Sequence, residues 1–153
     1  MKDLYHVVNA LVPVADAFAG TVQTAPIHMK NWQHASFLIT CGAGAVGTST
    51  ITVEACDTIV PGNVKAIPFS YQECVSGDTF GEIKQANDAG FATAAAANKI
   101  YKIEVDEQML ASTGYGYVRV KAVEVVNDPV TGGIVAVLTG GRFESEVPAT
   151  AIV

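Results

Sequence analysis

Between Tyr117 and Val126 the chain alternates Arg119 and Lys121 with Val118, Val120 and Ala122, the two-residue period of a strand with one wet face. After Ala122 the phase slips, because Val123, Val125 and Val126 crowd around Glu124. A bulge, or a strand leaving one neighbour for another, accounts for such a slip. Past Asn127, Asp128 and Pro129, residues 133–138 are apolar on both faces. That run reads as a central strand covered twice and as the partner of the first.

The same reading finds further strands. Residues 35–41 form a buried one, and residues 50–56 turn Ile51, Val53 and Ala55 inward. Residues 65–71 align Ile67, Phe69 and Tyr71, with Pro68 assigning them to an edge or a bulge. Residues 100–106 set Tyr101, Ile103 and Val105 against Lys102 and Glu104, while 19–24 and 79–84 are weaker candidates. Helix is scarce. Residues 106–111 can make a short one, capped by Asp106 and ended by Gly114. The alanines of 94–97 favour helix, but Gly90 and Thr93 make 86–98 a loop with a short turn. The expected fold is therefore all-β, an antiparallel β-sandwich of jelly-roll or β-tulip type spanning 19–143. An N-terminal arm (1–18) and an extended C-terminal tail (144–153) complete it. The apolar run 7–19 ends Ala17-Phe18-Ala19, an echo of a secretory cleavage site. Asp3, Asn9 and Asp16 argue against a leader, so the segment reads as an arm or short helix docking on a neighbour.

Composition adds a bias toward assembly. Only 16% of the 153 residues are charged, against about 25% in an average soluble domain. Mean hydropathy is +0.32, which suggests apolar surface beyond one core and hence self-association. A net charge of −6 argues against binding nucleic acid through its phosphates. No apolar run approaches the roughly 18 residues of a membrane helix. Cys41, Cys56 and Cys74 are odd in number and widely spaced, matching neither a zinc pattern nor a disulfide framework. They read as small buried hydrophobes.

Motifs for chemistry mostly fail. Gly42, Gly44 and Gly47 spell G-x-G-x-x-G after a strand, yet strand-like Thr48 to Val53 follows where a dinucleotide site needs a helix. The motif reads instead as a glycine-rich hairpin loop. No Gly-x-Ser-x-Gly elbow exists, and His28 and His34 lack the i, i+4 spacing of a helical metal site. The carboxylates are dispersed and read as solvated rims; Asp57 and Asp78 lie in loops without the calcium-loop pattern. No enzyme activity, cofactor or metal is expected. Trp32 stands alone as a ligand-stacking platform, a contact residue on a partner, or a lid over one end of the sandwich.

The chain resembles the small decoration (cement) proteins of tailed phages. The resemblance is carried by residues 29–39, 47–56, 66–71, 101–105, 116–121 and 133–138, before Arg142 and Phe143, and spans about 19–143. It implies a protein on the outer capsid surface of the virion, made in the host cytoplasm, often a homotrimer. Such a protein binds the major capsid protein and staples neighbouring capsomers, touching neither nucleic acid nor membrane. The alternatives are another virion component (tail, neck or head fibre) and a carbohydrate-binding β-sandwich module. Leu4, Tyr5, Val7, Val8, Leu11, Trp32 and Phe143 are the expected contacts, being apolar and outside the expected strands. Removing residues 2–16 should then weaken shell binding and leave the sandwich folded.

Overall fold

The computed structural model of the chain describes residues 5–43, 46–95, 98–142 and 150–152. In chain order the strands are β1 (Tyr5–Val14), β2 (Thr21–Gln23), β3 (Ile27–His28), β4 (Trp32–Cys41), β5 (Thr48–Cys56), β6 (Val64–Ile67) and β7 (Phe69–Ser76). Then come β8 (Thr79–Phe80), β9 (Lys84–Ala86), β10 (Phe91–Ala92), β11 (Lys99–Asp106), a helix α1 (Glu107–Ala111), β12 (Tyr117–Val126) and β13 (Gly132–Gly141).

They build two antiparallel sheets packed face to face, the β-sandwich expected from the alternation. The larger has seven strands in the order β1-β13-β4-β11-β7-β8, with β9 also on β7. The smaller has six: β5 and β12 pair along their length, β6 and β10 flank β5, and β2 and β3 flank β12. Between them lies one core. Phe37 and Ile39 (β4), Ile103 (β11), and Ala136 and Leu138 (β13) face Ile51 and Val53 (β5) and Val118 and Val120 (β12), all fully buried. At one end an aromatic group fills the gap: Tyr71 stacks on Phe91 at 4.0 Å, and Phe91 lies 5.3 Å from Tyr101. The Tyr101 hydroxyl accepts a 2.8 Å hydrogen bond from the Ala94 amide, so its one polar atom is satisfied.

Four expectations need correction. First, residues 5–14 are not an arm. They form β1, paired with β13 from Tyr5↔Thr139 to Val14↔Gly132, with Val8 and Ala10 buried in the core. Deleting 2–16 would therefore remove a strand and open the core. Second, residues 65–71 split at Pro68: β6 pairs with β5 in one sheet and β7 with β11 in the other. Proline has no amide to give a ladder, so the chain changes sheet where no hydrogen bond is lost.

Third, β12 and β13 are not partners. β12 pairs with β5, and β13 pairs with β4. Alternation identifies strands but not neighbours, and in a sandwich successive strands commonly lie face to face. The phase slip itself is present, as a register shift between Glu124 and Val126 against β5. Fourth, the Gly42–Gly47 segment is a crossover between sheets and not a hairpin, since β4 and β5 lie in different sheets. It packs against the other crossover, residues 127–131. The Gly42 amide donates to the Thr131 carbonyl at 2.6 Å, and the Val46 amide to the Asp128 carboxylate at 3.1 Å. A Cβ on Gly47 would stand 2.3 Å from the Asp128 carbonyl oxygen. The glycines are there to let two backbones touch.

Gly47→Ala should accordingly destabilise the protein by about 1–3 kcal/mol, the usual cost of forcing atoms into a packed site. A urea titration reads this directly, and an unchanged midpoint would show that the crossovers part easily.

Candidate functional site

Among the described residues the side chains that could carry chemistry gather on a surface: the outer face of the seven-stranded sheet. Its rows follow from the registers. Tyr5, Thr139, His34 and Asp106 lie abreast; the next row is Val7, Val137, Ser36 and Glu104; the next is Asn9, Val135, Leu38 and Lys102. The face divides. Toward β1 it is apolar, with Tyr5 and Val7 more than half exposed and Val135, Val137 and Leu38 half-buried. Toward β11 it is polar and tightly bonded.

In the polar half, His34 Nδ1 lies 2.7 Å from an Asp106 oxygen, and its Nε2 contacts Glu104. Ser36 donates to Glu104 at 2.7 Å, and Lys102 Nζ lies 3.2 Å from the same carboxylate. Ser36 Oγ also sits 3.3 Å from His34 Nε2, so the connectivity mimics a Ser-His-Asp triad. The chemistry differs. With a carboxylate at each ring nitrogen the charged imidazolium is favoured, and no lone pair remains to take the serine proton. Asp106 occupies the N-cap position of α1 as expected, but its side chain makes no capping bond and is held by His34 instead.

The opposite outer face carries a second ionic group. Arg119 on β12 meets Glu54 on β5 at 2.7 Å, and Lys121 reaches the other Glu54 oxygen at 3.4 Å. Glu54 and Arg119 side chains are only 8% and 11% exposed, so each charge depends on the other for solvation. Near the end of α1 a pocket of about 520 Å³ opens beside Pro68, Phe69 and Met109. Its polar side chains Lys65, Gln85, Asn87 and Asp88 are all exposed. Among the described residues no group of three His, Cys, Asp or Glu side chains is arranged to hold a metal ion. Cys41 and Cys56 are buried free thiols pushed up to about 11 by that burial, whereas Cys74 is half-exposed.

The expected contact residues scatter. Tyr5 and Val7 are exposed on the outer face, Leu11 is half-buried, and Val8 is in the core. Trp32 is withdrawn: it is 7% exposed, stacked on His6 at 5.7 Å. It belongs to the buried core cluster at the start of β4, with His6 of β1 laid against it, so it closes one end of the sandwich. Leu4 and Phe143 lie outside the described residues. Of the tail, the Ala151 carbonyl accepts from the His28 amide at 2.7 Å, which holds it on the smaller sheet. The His34 and Glu54 groups were missed because single carboxylates on strands read as solvated rims. Matching the wet face of β12 to Glu54 on β5 is the signal that would have found the second.

No known family model and no curated protein matches the chain. A solved structure similar to it is that of the SPBc2 prophage-derived protein YomS. The likeness covers 89% of this chain and 93% of that one, with a TM-score of 0.52 and 11% identity. Such a match shows a shared two-sheet fold.

Two outcomes test the ionic groups. Partial burial alone would lower the His34 pKa, but hydrogen bonds to Asp106 and Glu104 and their charges raise it above 6.5. Burial raises Glu104, and bonds from Ser36, His34 and Lys102 more than offset it, leaving that carboxyl below its ordinary value. The His34 contribution is thus present below its unfolded pKa and lost as pH rises through the elevated one. Glu104's contribution is lost as pH falls through the depressed one. His34 should titrate above 6.5 by NMR, and the stability gap between wild type and His34→Gln should shrink as pH rises from below 6.5 through the elevated His34 pKa. At the other face, Glu54→Ala should cost on the order of 3 kcal/mol by leaving Arg119 unpaired. The double change Glu54→Met with Arg119→Met should recover most of that in the same denaturation measurement.

Proposed function

We propose that the chain is a capsid decoration protein, which binds the outer surface of a phage head through the major capsid protein. The observation that carries this reading is the apolar half of the larger sheet's outer face. β13 is apolar on both faces, yet the fold covers only one: Ile134, Ala136 and Leu138 are buried, while Val135 and Val137 are half-exposed beside Val7 and Leu38. A strand written for two covered faces with one left open suits a surface completed by assembly. The phage origin of the similarly folded YomS structure supports the setting. The low charge fraction and net charge of −6 suit a protein that coats a shell and leaves the DNA alone. A trimer on the shell follows from the resemblance to decoration proteins. A tail, neck or fibre component is the neighbouring reading, separated by copy number. A carbohydrate-binding module is less favoured, because Trp32, Phe69 and Tyr101 are all buried and offer no stacking platform.

In particles from the source phage, quantitative mass spectrometry should give copies near-stoichiometric with the major capsid protein. A handful per particle would move the protein to the neck, tail or fibre, and its absence would end the structural reading. On purified shells, Val137→Lys should weaken binding by about tenfold or more, roughly 1.4 kcal/mol. Equal binding by that variant would remove this face from the contact.

A further inference from the structure

The molecule's strand edges are unequal. Along the smaller sheet, every flanking strand is short: β2, β3, β6 and β10 have three, two, four and two residues. At the far edge of the larger sheet, β7 is covered by β8 and β9, of two and three residues. Short edge strands are one of the ways natural sheets avoid pairing with each other. β1 is the exception. It runs for ten residues, pairs only with β13 among the described strands, and contains no lysine, arginine, aspartate or glutamate. Two copies of a chain with net charge −6 repel at most places. Along β1 no charges oppose one another.

We infer that β1 is the site where a second copy of this chain adds, antiparallel, with Val7 opposite the partner copy's Val7. The register follows from three constraints. Residues opposite one another in an antiparallel pair point to the same face, so outer-face residues must meet outer-face residues. Regular pairing to β13 extends from Tyr5 through Asn9, and the first register irregularity lies between Asn9 and Leu11. A two-fold axis at Val7 uses all of this regular segment: Tyr5 meets Asn9, His6 meets Val8, and Val7 meets itself. Moving the axis to His6 shortens the pairing, and moving it to Val8 carries the pairing past the irregularity. Pro13, which has no amide to donate, blunts the remainder of the edge.

The consequence is continuity. The row Ser36, Val137, Val7 of one copy runs directly into Val7, Val137, Ser36 of the other, merging two apolar half-faces into one strip. Five residues per copy is a contact at the small end of protein interfaces, so the pair forms reversibly and with concentration. It is two-fold, and therefore distinct from any three-fold contact on a shell.

Purified protein alone is enough to test this, so failure here leaves the shell reading untouched, and failure on shells leaves this pairing untouched. Sedimentation velocity across a wide concentration range should show reversible dimers. Val7 is 54% exposed, so charging it spares the core. Val7→Lys and Val7→Glu should each weaken self-association by roughly tenfold or more, because like charges then stand directly opposite. An equimolar mixture of the two variants should recover it. Val125→Lys, at a valine on β12 that is also more than half exposed, should change nothing. A wild-type chain monomeric at every concentration, or a Val7→Lys chain that still pairs, overturns the proposal. Two monomeric variants that fail to associate when mixed overturn the Val7-to-Val7 register.

Discussion

The close contact of two crossovers at one end of the sandwich organises the rest of the molecule. The segment from β4 to β5 and the segment from β12 to β13 run side by side, touching where the Gly42 amide meets the Thr131 carbonyl. Each crossover leaves one sheet and enters the other, so their contact aligns both. It places Cys41 beside Gly132 in the larger sheet and Thr48 beside Val126 in the smaller. From the first pair the register of β4 with β13 follows along their length, while that of β5 with β12 runs unbroken from Ser49↔Glu124 once the shift beside Thr48 is passed, and these four strands carry about half of the core. A side chain at Gly47, or at Gly132 where a Cβ would meet the Thr40 carbonyl at 2.2 Å, would wedge this end apart. Gly42 and Gly47 are the points at which the two crossovers touch.

Charge is organised by a different rule. Lys84, Lys99, Lys102, Arg119, Lys121 and Arg142 each lie against a carboxylate of the same chain, leaving Lys30 and Lys65 as the described cations outside those pairs. The exposed pairs contribute little to stability, but they neutralise positive charge where it stands. What remains to act at a distance is therefore acidic. Among the described residues these paired cations are thereby held beside carboxylates and do not gather into a basic stripe. Against this background β1 stands apart by its length: it is ten residues of edge without a charge, where the other uncharged flanking strands β2, β3, β8 and β10 have two or three.

Strand positions could be read from the sequence because alternation is a local signal. Tyr117 to Val126 emerged with both ends placed, and the inward sets Ile51, Val53, Ala55 and Tyr101, Ile103, Val105 are all buried. Pairing could not be read, because it depends on which loops cross between sheets, and a glycine-rich crossover looks like a glycine-rich hairpin. β1 escaped notice for a related reason. Only Val8 and Ala10 of it are buried, the outer-face residues Tyr5 and Val7 are as apolar as those two, and the inward His6 is polar, so no clean two-residue period shows. Trp32 was ambiguous on its own, and His6 stacking on it from β1 is what makes it a lid. The His34 group draws on β4 and β11, strands 70 residues apart in sequence, which no local pattern connects.

The same ambiguity in β13 and β1 bears on what the protein does. An apolar residue on the outer face of a sandwich adds little to the fold of a lone molecule, since water still reaches it. A sheet that keeps Val7 and Val137 in one row and Val135 and Leu38 in the next gains from them only when something dry is laid across both rows. One such contact, a few side chains wide, is weak. On a repeating lattice each copy is held beside its neighbours, and a second contact then forms at an effective concentration far above that in solution. A face with a modest apolar strip and an edge that pairs weakly would thus yield little stable dimer in dilute solution and a firm layer on a shell. For a protein proposed to coat a finished particle that balance is useful, because strong pairing would exhaust the pool before the particle was ready to receive it.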